Sequence, residues 1–282
     1  MNNNVIEPVR ESSAWVSPIV PVRKPNGALR LCVDYRKLNK HVIRERHMLP
    51  TVEEIAAQLE GAKVFSVLDA ESGFHPILLD KSSRSLTTFA THDGLYRFKR
   101  LPFGIACAPE IFQRVMSDIL AGLPGVIVYI GNILVFSKDV QEHDERLKKV
   151  LERLELANLQ LNWSKCQVRK SKVKYLGHWF SADGVSPDEG KLQAIAEMPL
   201  PQCLADVRFL GMATYLAKFI PQLSQITEPL RQLAKRAPFL MDDLLQQAFI
   251  TARGEIVNAL RCCPIFAWIE TCRLLLVVML HH

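Results

Sequence analysis

Asp69 closes an apolar, β-rich run made by Val64, Phe65, Val67 and Leu68, and an acid at a strand end is well placed to meet a ligand. Further along, two more β-rich runs, Val126 to Ile130 and Ile133 to Phe136, flank Gly131-Asn132. That dipeptide reads as a two-residue hairpin turn, with glycine taking the positive φ such turns require. One chemistry that would need carboxylates brought together from a strand end and a neighbouring hairpin is the joining of nucleotides. That chemistry needs two divalent cations side by side, one activating the attacking hydroxyl and one steadying the leaving phosphate. Magnesium takes oxygen ligands, usually one or two carboxylates plus substrate phosphates. Here Asp69 is the only carboxylate at either element, and taken alone it reads equally well as a turn residue or a helix cap.

The elements around these residues follow from periodicity and punctuation. Pro8, Pro18, Pro21, Pro25 and Pro50 break the first fifty residues into brief strands and turns, with Asn26-Gly27 as a hairpin turn. Thr51 and Glu54 form a capping box for a helix that Gly61 stops. Ile111, Phe112, Val115, Met116, Ile119 and Leu120 keep helical spacing after Pro109, and Gly122 ends that run. Asp139 with Glu142 caps a helix whose stripe is Leu147, Val150, Leu151, Leu154 and Ala157. Ser186, Pro187 and Glu189 together read as the opening of another helix. Beyond Ser186 the pattern is helical, through Val207 to Phe219 and Glu228 to Arg236, which sets a boundary near Asp183-Gly184.

Bulk properties bound the class. The chain has 282 residues, 49% hydrophobic and 23% charged, an ordinary globular balance with room for a sizeable core. Its net charge of +6 is compatible with a polyanionic partner without requiring one. The seven cysteines form no C-x-x-C pair, and no histidine cluster has zinc spacing, so reduced, buried thiols are expected. The N-terminus lacks an apolar signal core, and the longest apolar run, Leu274 to Leu280, falls far short of the roughly 20 residues a membrane span needs. An intracellular setting, cytoplasmic or nuclear, is the expectation, with no membrane partner.

The segments LRLCVDYRKLN, LPFGIACAPEIFQ, VIVYIGNILVFS, LNWSKC and VKYLGH resemble the reverse-transcriptase domain of gypsy-class LTR retrotransposons, in order and spacing, from about Val5 to about Ala267. The resemblance implies an α+β right-hand polymerase fold with an antiparallel palm sheet and a helical thumb. Fingers and palm would interleave over 1–185, the thumb would occupy 186–240, and 241–282 would be a truncated connection and tail without a ribonuclease H domain. It implies RNA-directed DNA synthesis on an RNA or DNA primer-template, with deoxynucleoside triphosphates and Mg2+, as one piece of a Pol polyprotein.

Residue by residue, Asp69 matches the family's strand acid and metal ligand. The hairpin Tyr-x-Asp-Asp corresponds to Tyr129, Ile130, Gly131 and Asn132, so both hairpin acids are replaced. Arg30, with Lys24 nearby, matches the basic contact to the triphosphate, and Phe74 the aromatic that blocks a ribose 2′-hydroxyl. Phe103 and Gly104 match the floor of the nucleotide pocket, and Gln113 the template-side glutamine. Lys165 resembles a proton donor near the pyrophosphate, and Tyr175, Leu176 and Gly177 the primer grip. Pro76 stands where the family has glutamine. These departures point to a degenerate, catalytically impaired copy, with a retained nucleic-acid-binding or interaction protein without catalysis, or a decayed reading frame, as the competing readings.

Overall fold

The computed structural model describes residues 4–23, 27, 29–44, 47–71, 73–201, 211, 223–233 and 242–259. Strands β1 (Ile6–Val9), β2 (Ile19–Arg23) and β3 (Leu29–Val33) lead into helix α1 (Arg36–Asn39), then α2 (Val52–Gln58) and β4 (Val64–Asp69). Next come α3 (Lys81–Arg84), β5 (Phe89–Thr91), β6 (Gly94–Phe98) and the longer α4 (Ala108–Ile119). The hairpin β7 (Val126–Tyr129) and β8 (Asn132–Ser137) is followed by α5 (Val140–Leu156) and β9 (Gln167–Lys170). Strands β10 (Lys172–Tyr175), β11 (His178–Ser181) and β12 (Gly184–Pro187) precede helices α6 (Glu189–Ala196), α7 (Leu223–Ile226), α8 (Glu228–Leu233) and α9 (Asp243–Ala259).

Two compact units result. One joins residues 1–51 to 64–170; the other joins 52–63 to the described residues beyond 170. The first unit is built on an antiparallel sheet in the order β7-β8-β4-β9. Alternation along a strand puts Leu68, Ile133 and Val135 on one face, where α4 and α5 cover them with Phe112, Met116, Leu120, Val150 and Leu154. Asp69 and Asn132 point to the other face and sit directly opposite each other in the ladder. Most of each helical stripe read from the sequence packs here, with Ile111 and Val115 of the first stripe outside this cluster. Asp139 caps α5 by accepting from the Glu142 N–H at 2.9 Å, worth about 1 kcal/mol. Smaller sheets, β1-β6-β5 and β2-β3, complete the unit.

Three local expectations shift. The hairpin turn is Ile130-Gly131 rather than Gly131-Asn132, because Asn132 is drawn into β8 opposite both Tyr129 and Asp69. Both turn residues then take positive φ, +39° at Ile130 and +86° at Gly131. Glycine adopts this freely, but a β-branched isoleucine there is strained. The helix expected to open at Ser186 begins at Glu189, since Ser186 and Pro187 extend β12 against Trp179 and His178. Asp188 takes the N-cap position, with its carboxylate on Lys174 at 2.6 Å. Finally, Asp183 sits at the tip of the β11–β12 hairpin, inside the three-stranded sheet β10-β11-β12 of the second unit.

Among the described cysteines Cys32, Cys107 and Cys166 are in no disulfide; Cys107 is buried, and Cys32 and Cys166 are partly buried. Among the described residues no helix is long and apolar enough to cross a membrane. Most of the expected helix 207–219 and the apolar run 274–280 lie outside the described residues.

One buried polar pair ties the sheet to α5. Ser66 Oγ on β4 lies 2.7 Å from His143 Nε2 and also accepts the Arg169 N–H at 3.0 Å. His143 is fully buried, and its Nδ1 has no hydrogen-bond partner among the described residues. Burial holds its pKa below the ordinary imidazole value; Asp144 opposes the shift, while Arg169 and Arg146 reinforce it. The unfolded chain therefore binds more protons than the folded one below about pH 6.5, so this contribution is complete above that pH and is lost as pH falls through the window below it. Urea denaturation from pH 8 to 5 should show stability falling below about pH 6.5, and His143→Gln should flatten that fall. An unchanged fall in the variant would assign it to other groups.

Candidate active site

The strand end and the hairpin meet as the sequence predicts. Beyond the Asp69–Asn132 pair, the Ala70 N–H donates to Gly131 O at 2.8 Å, so β4 reaches the turn itself. The Asp69 side chain is one-quarter exposed, with Oδ1 3.5 Å from Lys165 Nζ. Asp69 and Lys165 are thus brought together. Their turn is fixed by two contacts that sequence reasoning missed: the Asn162 N–H donates to Asp69 O at 2.8 Å, and the Asp69 N–H approaches Cys166 Sγ at 3.5 Å. Backbone-mediated contacts of this kind leave only the clustered segment LNWSKC as a signal.

Gln113 on α4 is 3% exposed and braces the hairpin from below. Its Nε2 donates to Val128 O at 2.9 Å, and its Oε1 accepts the Ile130 N–H at 2.8 Å. A buried amide with both ends used holds the strained turn in place, since leaving either backbone group unpaired would cost about 1–3 kcal/mol. Phe74, Phe103 and Phe112 form an aromatic cluster beside this turn, with Phe74 ring centroids 5.1 Å from Phe103 and 5.6 Å from Phe112. Phe103 is 36% exposed and Phe112 is buried. Gly73 permits the cluster: a Cβ there would stand 2.5 Å from the Phe103 ring.

Gly104 has φ +96°. Its loop is clamped by Asn39, which donates to Gly104 O and accepts the Ala106 N–H, both at 2.8 Å. Arg30 pairs with Val22 in the β2–β3 ladder, and Lys24 lies outside the described residues. Pro76 O accepts from Arg100 Nη1 at 3.2 Å. In the second unit, Tyr175 is buried on β10, and Leu176 and Gly177 make the turn to β11 with φ +49° and +78°.

The donor set can be weighed against a pair of magnesium ions. It consists of one carboxylate, already facing an ammonium, one carboxamide and one glycine. No cluster of three or more His, Cys, Asp or Glu side chains suited to a metal ion occurs among the described residues. These residues do not fit a two-cation site.

An antiparallel sheet ending in an acid, backed by two helices and joined to a hairpin at that same end, is the core of the α+β polymerase fold. The chain belongs to the reverse transcriptase (RNA-dependent DNA polymerase) family, which it matches over residues 22–180. It is 38% identical over 255 residues to the Retrovirus-related Pol polyprotein from transposon opus of Drosophila melanogaster, covering 84% of this chain and 25% of that one. It is 36% identical over 232 residues to the Transposon Tf2-7 polyprotein of Schizosaccharomyces pombe, covering 81% and 17%. The chain thus spans a quarter or less of these relatives. Among solved structures, the foamy viral protease-reverse transcriptase in complex with double-stranded DNA superposes with a TM-score of 0.83 at 26% identity, over 90% of this chain and 45% of that one. The same viral protein with an RNA/DNA hybrid gives 0.79 at 26% identity, over 92% and 35%.

Proposed function

We propose that this chain is the reverse-transcriptase core of a gypsy-class LTR retrotransposon Pol polyprotein whose metal site is reduced to Asp69, so that catalysis is impaired while primer-template binding persists. The observation that carries this reading is the register of the palm sheet, which sets a carboxamide, Asn132, directly opposite Asp69 and a side-chain-free Gly131 at the turn. Magnesium supplies hydroxyl activation and charge neutralisation in this family, and the residues present, one carboxylate, one carboxamide and one glycine, do not fit a pair of such ions. In this reading Phe74 and Phe103 shape a deoxynucleotide pocket over Gly104, Arg30 and Lys24 take the family's role of basic contacts to the triphosphate, and Lys165 stands at the strand end. Residues 186–240 correspond to the family's thumb, 241–282 to its connection, and Tyr175 to Gly177 to the primer grip. Support for a nucleic-acid partner comes from the two foamy viral complexes, which hold double-stranded DNA and an RNA/DNA hybrid.

The basic groups that would meet phosphate are partly engaged within the chain. Arg169 is paired with Asp144, Lys172 with Glu189 and Lys174 with Asp188. Exposed pairs of this kind are weak and exchange readily for phosphate, but each leaves fewer counterions to release. Fluorescence anisotropy with a labelled primer-template should therefore show binding at low salt that weakens with a log-log slope of about 1–3. No binding at low salt, or binding indifferent to salt, would remove the nucleic-acid reading. Primer extension by the same preparation tests the catalytic half.

A further inference from the structure

Trp163 stands 62% exposed on the turn that bolts Lys165 to the end of β4. That turn is stiff. The Asn162 N–H donates to Asp69 O at 2.8 Å, the Lys165 N–H to Asn162 O at 2.9 Å and the Cys166 N–H to Trp163 O at 3.2 Å. Ser164 Oγ donates to Asn162 Oδ1 at 2.6 Å. The backbone that carries this indole is therefore ordered before a partner arrives, and only the side-chain torsions remain to be fixed on binding. Its neighbour two residues on, Lys165, is itself 64% exposed and aims its ammonium at the Asp69 carboxylate. A flat apolar ring and a cation on one rigid turn, in a chain of net charge +6, match a ligand with alternating aromatic faces and negative charges. Nucleic acid strands have that pattern, and stacking on an aromatic side chain is tolerant of base identity.

We infer that Trp163 is a stacking platform for an unpaired nucleobase of a strand led past Asp69, with Lys165 meeting that strand's phosphate. The base is an unpaired one because bases inside a duplex have both faces covered by their neighbours, whereas an overhang leaves a face free. This inference rests on the nucleic-acid-binding reading above and adds to it a residue and a strand form.

The test compares the full chain with Trp163→Ala and Trp163→Phe, using labelled primer-template with a single-stranded overhang and a blunt duplex of the same paired length. Stacking of one base corresponds to a loss of about 5- to 160-fold in overhang affinity for Trp163→Ala. Trp163→Phe should stay within about threefold of the parent, and blunt-duplex affinity and the salt slope should be unchanged in both. Quenching of the chain's tryptophan fluorescence by the overhang should shrink in Trp163→Phe. If the parent binds the overhang and Trp163→Ala binds it equally well, the platform is refuted while the nucleic-acid reading stands. Equal losses on overhang and blunt duplex, accompanied by a lower melting temperature, would make Trp163 a structural residue and also overturn it. A parent that binds neither probe overturns both readings.

Discussion

In a primer-extension assay with magnesium or manganese, the purified chain should incorporate deoxynucleotide at least about a thousandfold more slowly than a relative with Asp-Asp at the hairpin. Loss of shared metal ligands of this kind removes roughly 4–6 kcal/mol of transition-state stabilisation, and each 1.36 kcal/mol is tenfold in rate. Template-dependent synthesis at ordinary rates, abolished by Asp69→Ala, would disprove this. The structure also ranks the reversions. Asn132 lies in regular strand opposite Asp69, so Asn132→Asp replaces an amide by an acid without moving the backbone. Gly131 differs: its φ is +86°, and a Cβ there stands 3.2 Å from Phe112 Cε1. Gly131→Asp must either hold a left-handed conformation, at about 1–2 kcal/mol, or rebuild the turn. The double variant should therefore recover only part of the missing rate. Full recovery would show that the turn rearranges freely.

Phe112→Ala should destabilise the first unit by about 3–5 kcal/mol, the range for removing a fully buried phenylalanine. Its ring is 1% exposed and belongs to the cluster between α4, α5 and the sheet, with Phe74 packed edge-on against it. Phe103→Ala, at a ring already 36% exposed, should cost clearly less. In denaturant melts monitored on the first unit, the Phe112 variant should lose midpoint with little change in slope. A loss below about 1 kcal/mol would mean that the cluster collapses into the cavity or contributes little.

How much of this was visible in the sequence depends on the range of the interactions involved. Helices α4 and α5 were legible because their stripes repeat at helical spacing, and α5 also has a local cap in Asp139: Phe112, Met116, Val150 and Leu154 all point where periodicity puts them. Strand β4 and its acid were equally plain. The turn was misplaced by one residue because Asn-Gly chemistry describes an isolated hairpin, whereas here Asn132 is claimed by a third strand through Asp69. Ser186 and Pro187 failed for the same reason, being taken by the β11 ladder before a helix could begin. The braces made by Gln113, Asn39 and Cys166 reach backbone far along the chain, and no local pattern encodes them.

The order of β4 in its sheet also bears on how the protein is made. Both of its neighbours are translated later, β8 first and β9 roughly 100 residues after β4 itself. At about 5–20 residues per second on the ribosome, the strand bearing Asp69 waits about 5–20 s before its second edge is covered. Residues 52–63 wait longer still, since the rest of their unit lies beyond residue 170. The nascent chain thus carries an apolar, hydrogen-bond-hungry strand in the open, and co-translational yield should rise with chaperone holding or faster elongation between β4 and β9, and fall where codons stall the ribosome inside that interval.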